Sequence, residues 1–159
     1  MLRILLALVL FSSCASAQTV YIVRHAEKDA NTMSSDVPLS EAGKQRAEAL
    51  RQLLKDSSVT AVYSTNFIRT KTTAQPLAEA LGLTVQTYDP RDTGFVQLIT
   101  ATGKGNVLIV GHSNTVDDLV NGFLGQKWLS DLPESSYGNL FIIRMKGKKT
   151  EFFEGRFGN

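Results

Sequence analysis

The sequence contains few of the two residue types that most often build reactive centres, cysteine and histidine. Cys14 is the single cysteine among 159 residues, and the two histidines are His25 and His112. One cysteine excludes an internal disulfide framework and a cysteine-rich metal site. Any chemistry that this chain performs must therefore rely on something other than a disulfide framework or a cysteine cluster.

No hydrophobic run in the chain is long enough to span a membrane. The longest one, residues 4–11, is far shorter than the roughly 20 residues that a transmembrane helix needs. It follows Arg3 and leads into Ala15, Ser16 and Ala17, which match the A-x-A pattern of a peptidase cleavage site. We therefore expect residues 1–17 to be a secretory signal peptide, and residues 18–159 to form one domain that is periplasmic or secreted.

The same amino-terminal segment allows two other interpretations. It could be a buried strand or helix of the domain, or Cys14 could be a lipidation site. Phe11 stands where lipoprotein signals usually carry leucine, which disfavours a lipid anchor. After cleavage behind Ala17 no cysteine would remain, which would also exclude a thiolate nucleophile.

Neither sign of charge dominates. The chain has 17 basic and 15 acidic residues, and loss of Arg3 with the signal peptide lowers the net charge from +2 to +1. Such a balance does not indicate a nucleic-acid partner. The densest basic stretch, residues 146–149, is typical of a solvated hairpin turn. The sequence says nothing about the oligomeric state.

Short β-branched runs alternate with amphipathic segments along the chain. Strands are predicted at residues 19–23, 59–63, 83–88 and 107–110, helices at 40–55, 67–81, 93–102 and 114–123, and an antiparallel pair at 140–145 and 150–157. Ser40 is a plausible N-cap, and Pro76 should kink or divide the second helix. Alternation of this kind predicts an α/β fold: a three-layer α/β/α sandwich with a mainly parallel central sheet and an antiparallel carboxyl-terminal edge.

Each histidine directly follows an aliphatic strand. His25 comes after Arg24 at the end of the first strand, and His112 comes after Gly111 at the end of the fourth. Ligands bind parallel sheets at the carboxyl ends of the strands, so both histidines should emerge at one edge. Arg69, near the start of the second helix, should reach the same edge. The predicted cluster is cationic and suits an anion.

Other kinds of site fit the sequence poorly. There is no histidine pair at helical spacing and no cysteine cluster that would suggest a metal site. Residues 103–105 read Gly-Lys-Gly but precede a strand, whereas a phosphate-binding loop lies between a strand and a helix. Ser113 could belong to a serine triad, yet it lacks the flanking glycines of a nucleophile elbow. Trp128 is expected in the core rather than at the entrance of a site.

These motifs together resemble the histidine phosphatase superfamily, in particular its phosphoglycerate-mutase-like branch. The resemblance runs in the family's order through most of the mature chain. It rests on Arg24, His25, Ala26 and Glu27, on Pro38, Leu39, Ser40 and Gly43, on residues 64–69 with Thr70 and Thr73, and on Gly111, His112 and Ser113.

The resemblance implies a role for each matching position. His25 would be the nucleophile that is phosphorylated, Arg24, Arg69 and His112 would bind the phosphoryl oxygens, and Asn31 would be a further pocket residue. No metal or organic cofactor is required. Ala26 replaces the family's usual glycine, and Lys28 stands where mutases commonly carry serine or threonine. The second difference, like the short segment between Arg69 and His112, argues against a glycolytic mutase.

A proton donor for the leaving group is expected between Arg69 and His112 in this family. Asp89 is the favoured candidate because it follows the third strand directly, while Asp92 and Glu27 are alternatives. The expected activity is hydrolysis of a small phosphomonoester through a phosphohistidine on His25. A protein phosphohistidine phosphatase, a mutase and a non-catalytic phosphate-binding module are the competing hypotheses.

Overall fold

The structure is a computed structural model that describes residues 17–158. The predicted signal peptide, except for Ala17, and Cys14 lie outside the described residues. The strands are β1 (Gln18–Arg24), β2 (Val59–Ser64), β3 (Val85–Thr87), β4 (Asn106–Gly111), β5 (Asn139–Lys146) and β6 (Lys149–Arg156), and the helices are α1 (Glu41–Leu54), α2 (Ile68–Ala80), α3 (Phe95–Thr102) and α4 (Val116–Leu124).

All six strands belong to one sheet in the order β3-β2-β4-β1-β5-β6. β3, β2, β4 and β1 are parallel, whereas β5 and β6 add an antiparallel edge beside β1. The predicted mixed sheet is confirmed. Its centre is formed by β1 and β4, the two strands that precede the histidines.

Each face of the sheet is covered by a pair of helices. On one face Val23 and Val110 pack with Leu50 of α1 and Leu77 of α2. On the other face the core includes Ile22 and Ile109 with residues of α3 and α4, such as Ile99, Val120 and Phe123. Side chains alternate across a strand, so one aliphatic run supplies both cores. The predicted α/β/α layering is confirmed.

Helix α1 begins as predicted and lies tightly against the segment after His25. The Ser40 side chain caps it by accepting a hydrogen bond from the Gly43 backbone N–H at 3.1 Å. A Cβ atom at Gly43 would lie 2.3 Å from the Glu27 carbonyl oxygen, so only glycine allows this approach. The Ser40 N–H also donates to that carbonyl at 2.9 Å. α1 thereby fixes the backbone two residues beyond His25.

Two expectations are settled in part or in full. α2 is a single helix with Pro76 inside it, so it is not divided there, while the expected bend stays a prediction. Ala74, Leu77 and Ala78 on either side of the proline are fully buried, and this packing offsets the lost hydrogen bond. The prediction that Trp128 is core is wrong, since Trp128 is 61% exposed and meets the Phe152 ring edge to face.

None of the helices among residues 17–158 combines the length and the apolar character that crossing a bilayer requires.

Candidate active site

The carboxyl ends of β1 and β4 bring the two histidines together. Arg24 is paired with Gly111 across the two strands, and the His25 backbone N–H donates to the Gly111 carbonyl at 2.9 Å. The imidazole rings of His25 and His112 meet edge to face, with their centroids 5.4 Å apart. Both rings therefore lie at the same edge of the sheet.

His25 is buried and held in one tautomer. Its Nδ1 lies 2.7 Å from the Ala26 carbonyl oxygen, which only accepts, so Nδ1 carries the proton of the neutral ring and Nε2 keeps a lone pair. The Ala26 N–H donates to the Thr73 hydroxyl at 3.0 Å, which anchors this segment to α2. The pKa of His25 is lowered to about 3, mainly by burial and further by the positive charge of Arg24, against the opposing effect of the Ala26 hydrogen bond.

His112 is also neutral near pH 7. Burial lowers its pKa to about 4, and the charges of Arg69 and Arg24 contribute in the same direction. The Phe67 ring packs against the His112 ring with centroids 5.1 Å apart. The His112 backbone N–H donates to the Thr115 hydroxyl at 3.0 Å, so the start of the segment before α4 is fixed as well.

Arg69 reaches the site from the first turn of α2. Its guanidinium lies over the Phe67 ring, 4.4 Å from the centroid, and 3.8 Å from a carboxylate oxygen of Asp36. The same Asp36 oxygen accepts a hydrogen bond from the Ile68 N–H at 2.9 Å, which caps the helix. The Arg69 side chain is 14% exposed, so its charge is presented at the site and not to bulk solvent.

Arg24 is enclosed by the segment between α4 and β5, residues 133–137, which we call the 133–137 loop. Its Nη1 donates to the carbonyl oxygens of Pro133, Glu134 and Ser136 at 3.0, 2.9 and 3.3 Å. Its Nη2 donates to the Glu134 carboxylate at 2.7 Å, and its guanidinium lies over the Tyr137 ring. Arg24 thus positions this loop next to the histidines, besides carrying a charge of its own.

Three buried nitrogens at this edge have no hydrogen-bond partner in the described part of the chain. They are Arg24 Nε, Arg69 Nε and His112 Nε2. Buried polar groups are normally paired. Two guanidinium groups and an imidazole with free nitrogens suit an oxyanion that offers several acceptor oxygens, such as a phosphoryl group. Within residues 17–158 no three His, Cys, Asp or Glu side chains are grouped so as to hold a metal ion.

The predicted acidic candidates are engaged elsewhere. Asp89 is exposed and pairs with Arg91 through both its carboxylate oxygens, at 3.1 and 2.9 Å. Asp92 accepts from the Gly94 N–H, and Glu27 binds Arg46 with both of its oxygens. Among the described residues none of the three has a hydrogen bond or ion pair to His25, His112, Arg24 or Arg69.

Asn31 lies on an exposed loop, where its backbone N–H donates to Asp29. In the described chain its side chain forms no hydrogen bond with the two histidines or the two arginines. Its assignment to the phosphate pocket stays a prediction, as does the assignment of Asp89 to proton donation.

Sequence reasoning missed Glu134 and Tyr137. The Glu134 carboxylate contacts Arg24 and accepts a hydrogen bond from Ser113 at 2.5 Å, and the Tyr137 ring lies 6.1 Å from the His25 ring. Both residues belong to an irregular loop, where no periodicity indicates the direction of a side chain. Ser113 was named from its position directly after His112, but its hydrogen bond to Glu134 was not predicted.

Comparisons with known proteins agree with this geometry. Residues 20–92 match the sequence profile of the histidine phosphatase superfamily (branch 1). A probable phosphoglycerate mutase GpmB of Yersinia pestis is 39% identical over 77 residues, which are 45% of this chain and 35% of that protein. The match therefore spans about a third of the length of the curated relatives.

Solved structures match nearly the whole chain. The protein histidine phosphatase SixA complexed with tungstate superimposes with a TM-score of 0.69 at 19% identity, covering 87% of this chain and 96% of that one. A mycobacterial glucosyl-3-phosphoglycerate phosphatase gives 0.67 at 15% identity, with coverages of 89% and 98%. At such low identity these structures establish the fold. The profile match over residues 20–92 makes this part of the chain similar to the histidine phosphatase superfamily, and the structural neighbours share the fold of the described domain.

Proposed function

We propose that this protein is a metal-independent phosphatase that hydrolyses a small phosphomonoester through a phosphohistidine on His25. Members of the superfamily are phosphatases or mutases, which supports a phosphatase-type enzyme. The observation that carries the proposal is the state of His25: buried, neutral, and with its Nδ1 proton tied to the Ala26 carbonyl. A lone pair on Nε2 is what a nucleophilic histidine requires.

The cationic and imidazole groups around His25 suit the negative charge that develops on the phosphoryl oxygens during the reaction. As Nε2 forms a bond to phosphorus and the ester oxygen leaves, negative charge is spread over the three other phosphoryl oxygens. Arg24, Arg69 and His112 would donate to those oxygens, and fixed donors in a buried site stabilise such charge strongly. In the second half-reaction the oxygen of a water molecule attacks phosphorus, the P–N bond breaks, and inorganic phosphate is released.

Export is part of the proposal. The charged residue, hydrophobic run and A-x-A pattern of residues 1–17 support a cleaved signal peptide. Amino-terminal sequencing of the protein from the periplasm or medium should give Gln18 as the first residue. An intact Met1 on the active protein would contradict export.

The activity test compares the mature protein with a His25→Ala variant on a generic aryl phosphate, with a chelator present. We expect turnover by the parent protein and a loss of more than about 1,000-fold in the variant, because the nucleophile is absent. Vanadate should still bind the variant through the arginines, and its thermal unfolding should show that it is folded. Turnover that stops with chelator would indicate a metal hydrolase. Vanadate binding without turnover by the parent protein would indicate a binding module.

A protein phosphohistidine phosphatase is the second candidate. It is favoured by the near-complete overlap with the SixA structure, a phosphatase of similar size. The two functions are separated by comparing kcat/KM on a phosphohistidine-containing protein with that on small phosphomonoesters. We expect the small esters to be preferred, and a large preference for the phosphoprotein would overturn that part of the proposal.

A further inference from the structure

Glu134 is the acidic side chain that lies closest to the cationic cluster. Its carboxylate accepts from Arg24 Nη2 at 2.7 Å and from the Ser113 hydroxyl at 2.5 Å. Its negative charge also acts on Arg69 and on His112. One carboxylate is thus within electrostatic reach of three of the groups that would bind the phosphoryl oxygens.

Glu134 lies on the solvent-exposed side of the site. Its side chain is 73% exposed, whereas the side chain of its partner Arg24 is 1% exposed. Arg24 holds the main chain of the 133–137 loop through three carbonyl oxygens, which fixes where the carboxylate can reach. His25 is buried, whereas Glu134 reaches Arg24 and Ser113 from the exposed 133–137 loop.

Asp89 occupies a different place. It lines a cleft of 560 Å³ together with Phe67, Tyr88 and Arg91, and neither histidine lines that cleft. Its carboxylate pairs with Arg91, and Arg91 is the charged group that lowers its pKa. Glu134 is therefore the better placed of the two carboxylates to meet an oxygen that departs from phosphorus between Arg24 and Arg69.

We propose that Glu134 is the proton donor to the leaving oxygen, an inference that rests on the proposed phosphatase function. As the His25 Nε2–P bond forms and the P–O ester bond breaks, the Glu134 carboxyl group gives its proton to the departing oxygen. The Glu134 carboxylate then takes a proton from water, whose oxygen attacks phosphorus while the P–N bond breaks. Atoms and charge balance over the cycle, and Glu134 returns to its protonated form.

The phosphoryl group itself would bring Glu134 into the protonated state. In the free protein the hydrogen bond from Ser113 and the charges of Arg24 and Lys28 hold the pKa of Glu134 below its usual value. A bound phosphoryl dianion shares Arg24 and adds negative charge beside the carboxylate, and both effects raise a carboxyl pKa. His112, Arg69 and Lys28 are the other charged or titratable groups that face this position.

The test uses leaving groups of different basicity. A Glu134→Gln variant should lose about 100-fold or more in kcat on an alkyl phosphate, since a positioned acid contributes roughly 10²–10⁴-fold. On dinitrophenyl phosphate, whose leaving oxygen needs no proton, the loss should be only a few-fold. Asp131→Asn, an exposed carboxylate in the same segment, is the matched control and should behave like the parent protein on both substrates.

Other outcomes would overturn the inference. Equal losses on both substrates would mean that Glu134 only positions Arg24. Tighter inhibition by inorganic phosphate together with faster turnover of both substrates would mean that Glu134 competes with the substrate. A selective loss in Asp89→Asn, with Glu134→Gln unaffected, would assign the proton to Asp89. Failure of the proposed function is seen separately, as retained turnover in His25→Ala.

Discussion

At the scale of single residues, the site depends on two imidazoles that burial keeps neutral. His25 and His112 are the only histidines of the chain, and both have strongly lowered pKa values. An unperturbed histidine would be half protonated near pH 6.5 and would lose its nucleophilic lone pair in weak acid. Here burial extends the reactive form to much lower pH.

The pH profile of kcat/KM, which reports groups of the free enzyme, tests this directly. We expect no fall in activity attributable to His25 between pH 7 and 5, and an acid limb only as pH approaches the His25 pKa of about 3 and the His112 pKa of about 4. An acid limb at pH 6.5 would show that the imidazoles are not desolvated. The parent protein must be folded at each pH, which circular dichroism checks.

The two arginines should differ in what they contribute to stability. Arg24 donates four hydrogen bonds to the 133–137 loop, whereas among residues 17–158 Arg69 forms a 3.8 Å ion pair with Asp36 and a stacking contact with Phe67. Lysine keeps the charge but has no planar fork. Arg24→Lys should lower the free energy of unfolding by about 2–3 kcal/mol, because buried acceptors lose their donors. Arg69→Lys should lower it by less than about 1 kcal/mol.

Urea unfolding of both variants measures this difference, and both should lose phosphatase activity. Equal destabilisation by the two substitutions would contradict the loop-holding role of Arg24.

At the scale of elements, the contact of α1 with the segment after β1 sets the backbone geometry around His25. The motif that opens α1 was predictable, because Ser40 is a strong N-cap residue ahead of a helical periodicity. The need for glycine at position 43 was not predictable, because it arises from the close approach of the Glu27 carbonyl, which is distant in sequence. The same limit applies to Glu134 and Tyr137, whose irregular loop has no repeating pattern.

Gly43→Ala tests this contact. Alanine favours a helix interior over glycine by about 1 kcal/mol, but here its Cβ would lie 2.3 Å from a backbone oxygen. We expect the clash to prevail and to lower the free energy of unfolding by roughly 1–3 kcal/mol, with reduced kcat as the His25 segment shifts. Gly155→Ala, whose Cβ would meet nothing closer than 3.9 Å, is the control and should have little effect. Stabilisation by Gly43→Ala would contradict the account.

At the scale of the whole molecule, the parallel order of β2, β4 and β1 explains why residues far apart in sequence form one site. The strand and helix positions followed from periodicity, and the meeting of Arg24, His25, Arg69 and His112 followed from the rule for carboxyl ends of parallel strands. The carboxylate that lies beside these four residues could not be predicted from the sequence, because Asp89 and Glu134 both lie in loops.

The acid stability of the fold should reflect the two neutral histidines. A histidine whose pKa is lowered by folding binds fewer protons in the native state, so its stabilisation is complete above pH 6.5 and is lost as pH falls toward the native pKa. Between pH 6 and 4.5 the free energy of unfolding should fall with a slope approaching about 1.4 kcal/mol per pH unit for each histidine. His112→Asn should reduce that slope by about half, measured by urea unfolding at several pH values. An unchanged slope would contradict neutral burial of His112.

The most direct measurement of the central claim is the detection of a phosphoryl group on His25. The mature protein is mixed with an activated aryl phosphate, quenched in alkali within a single turnover, and examined by mass spectrometry of the intact chain and of peptides that contain residues 20–30. We expect a mass increase of one phosphoryl group on the His25 imidazole, absent from His25→Ala. Turnover without a phosphorylated chain, or with the phosphoryl group on Ser113 or His112, would contradict it.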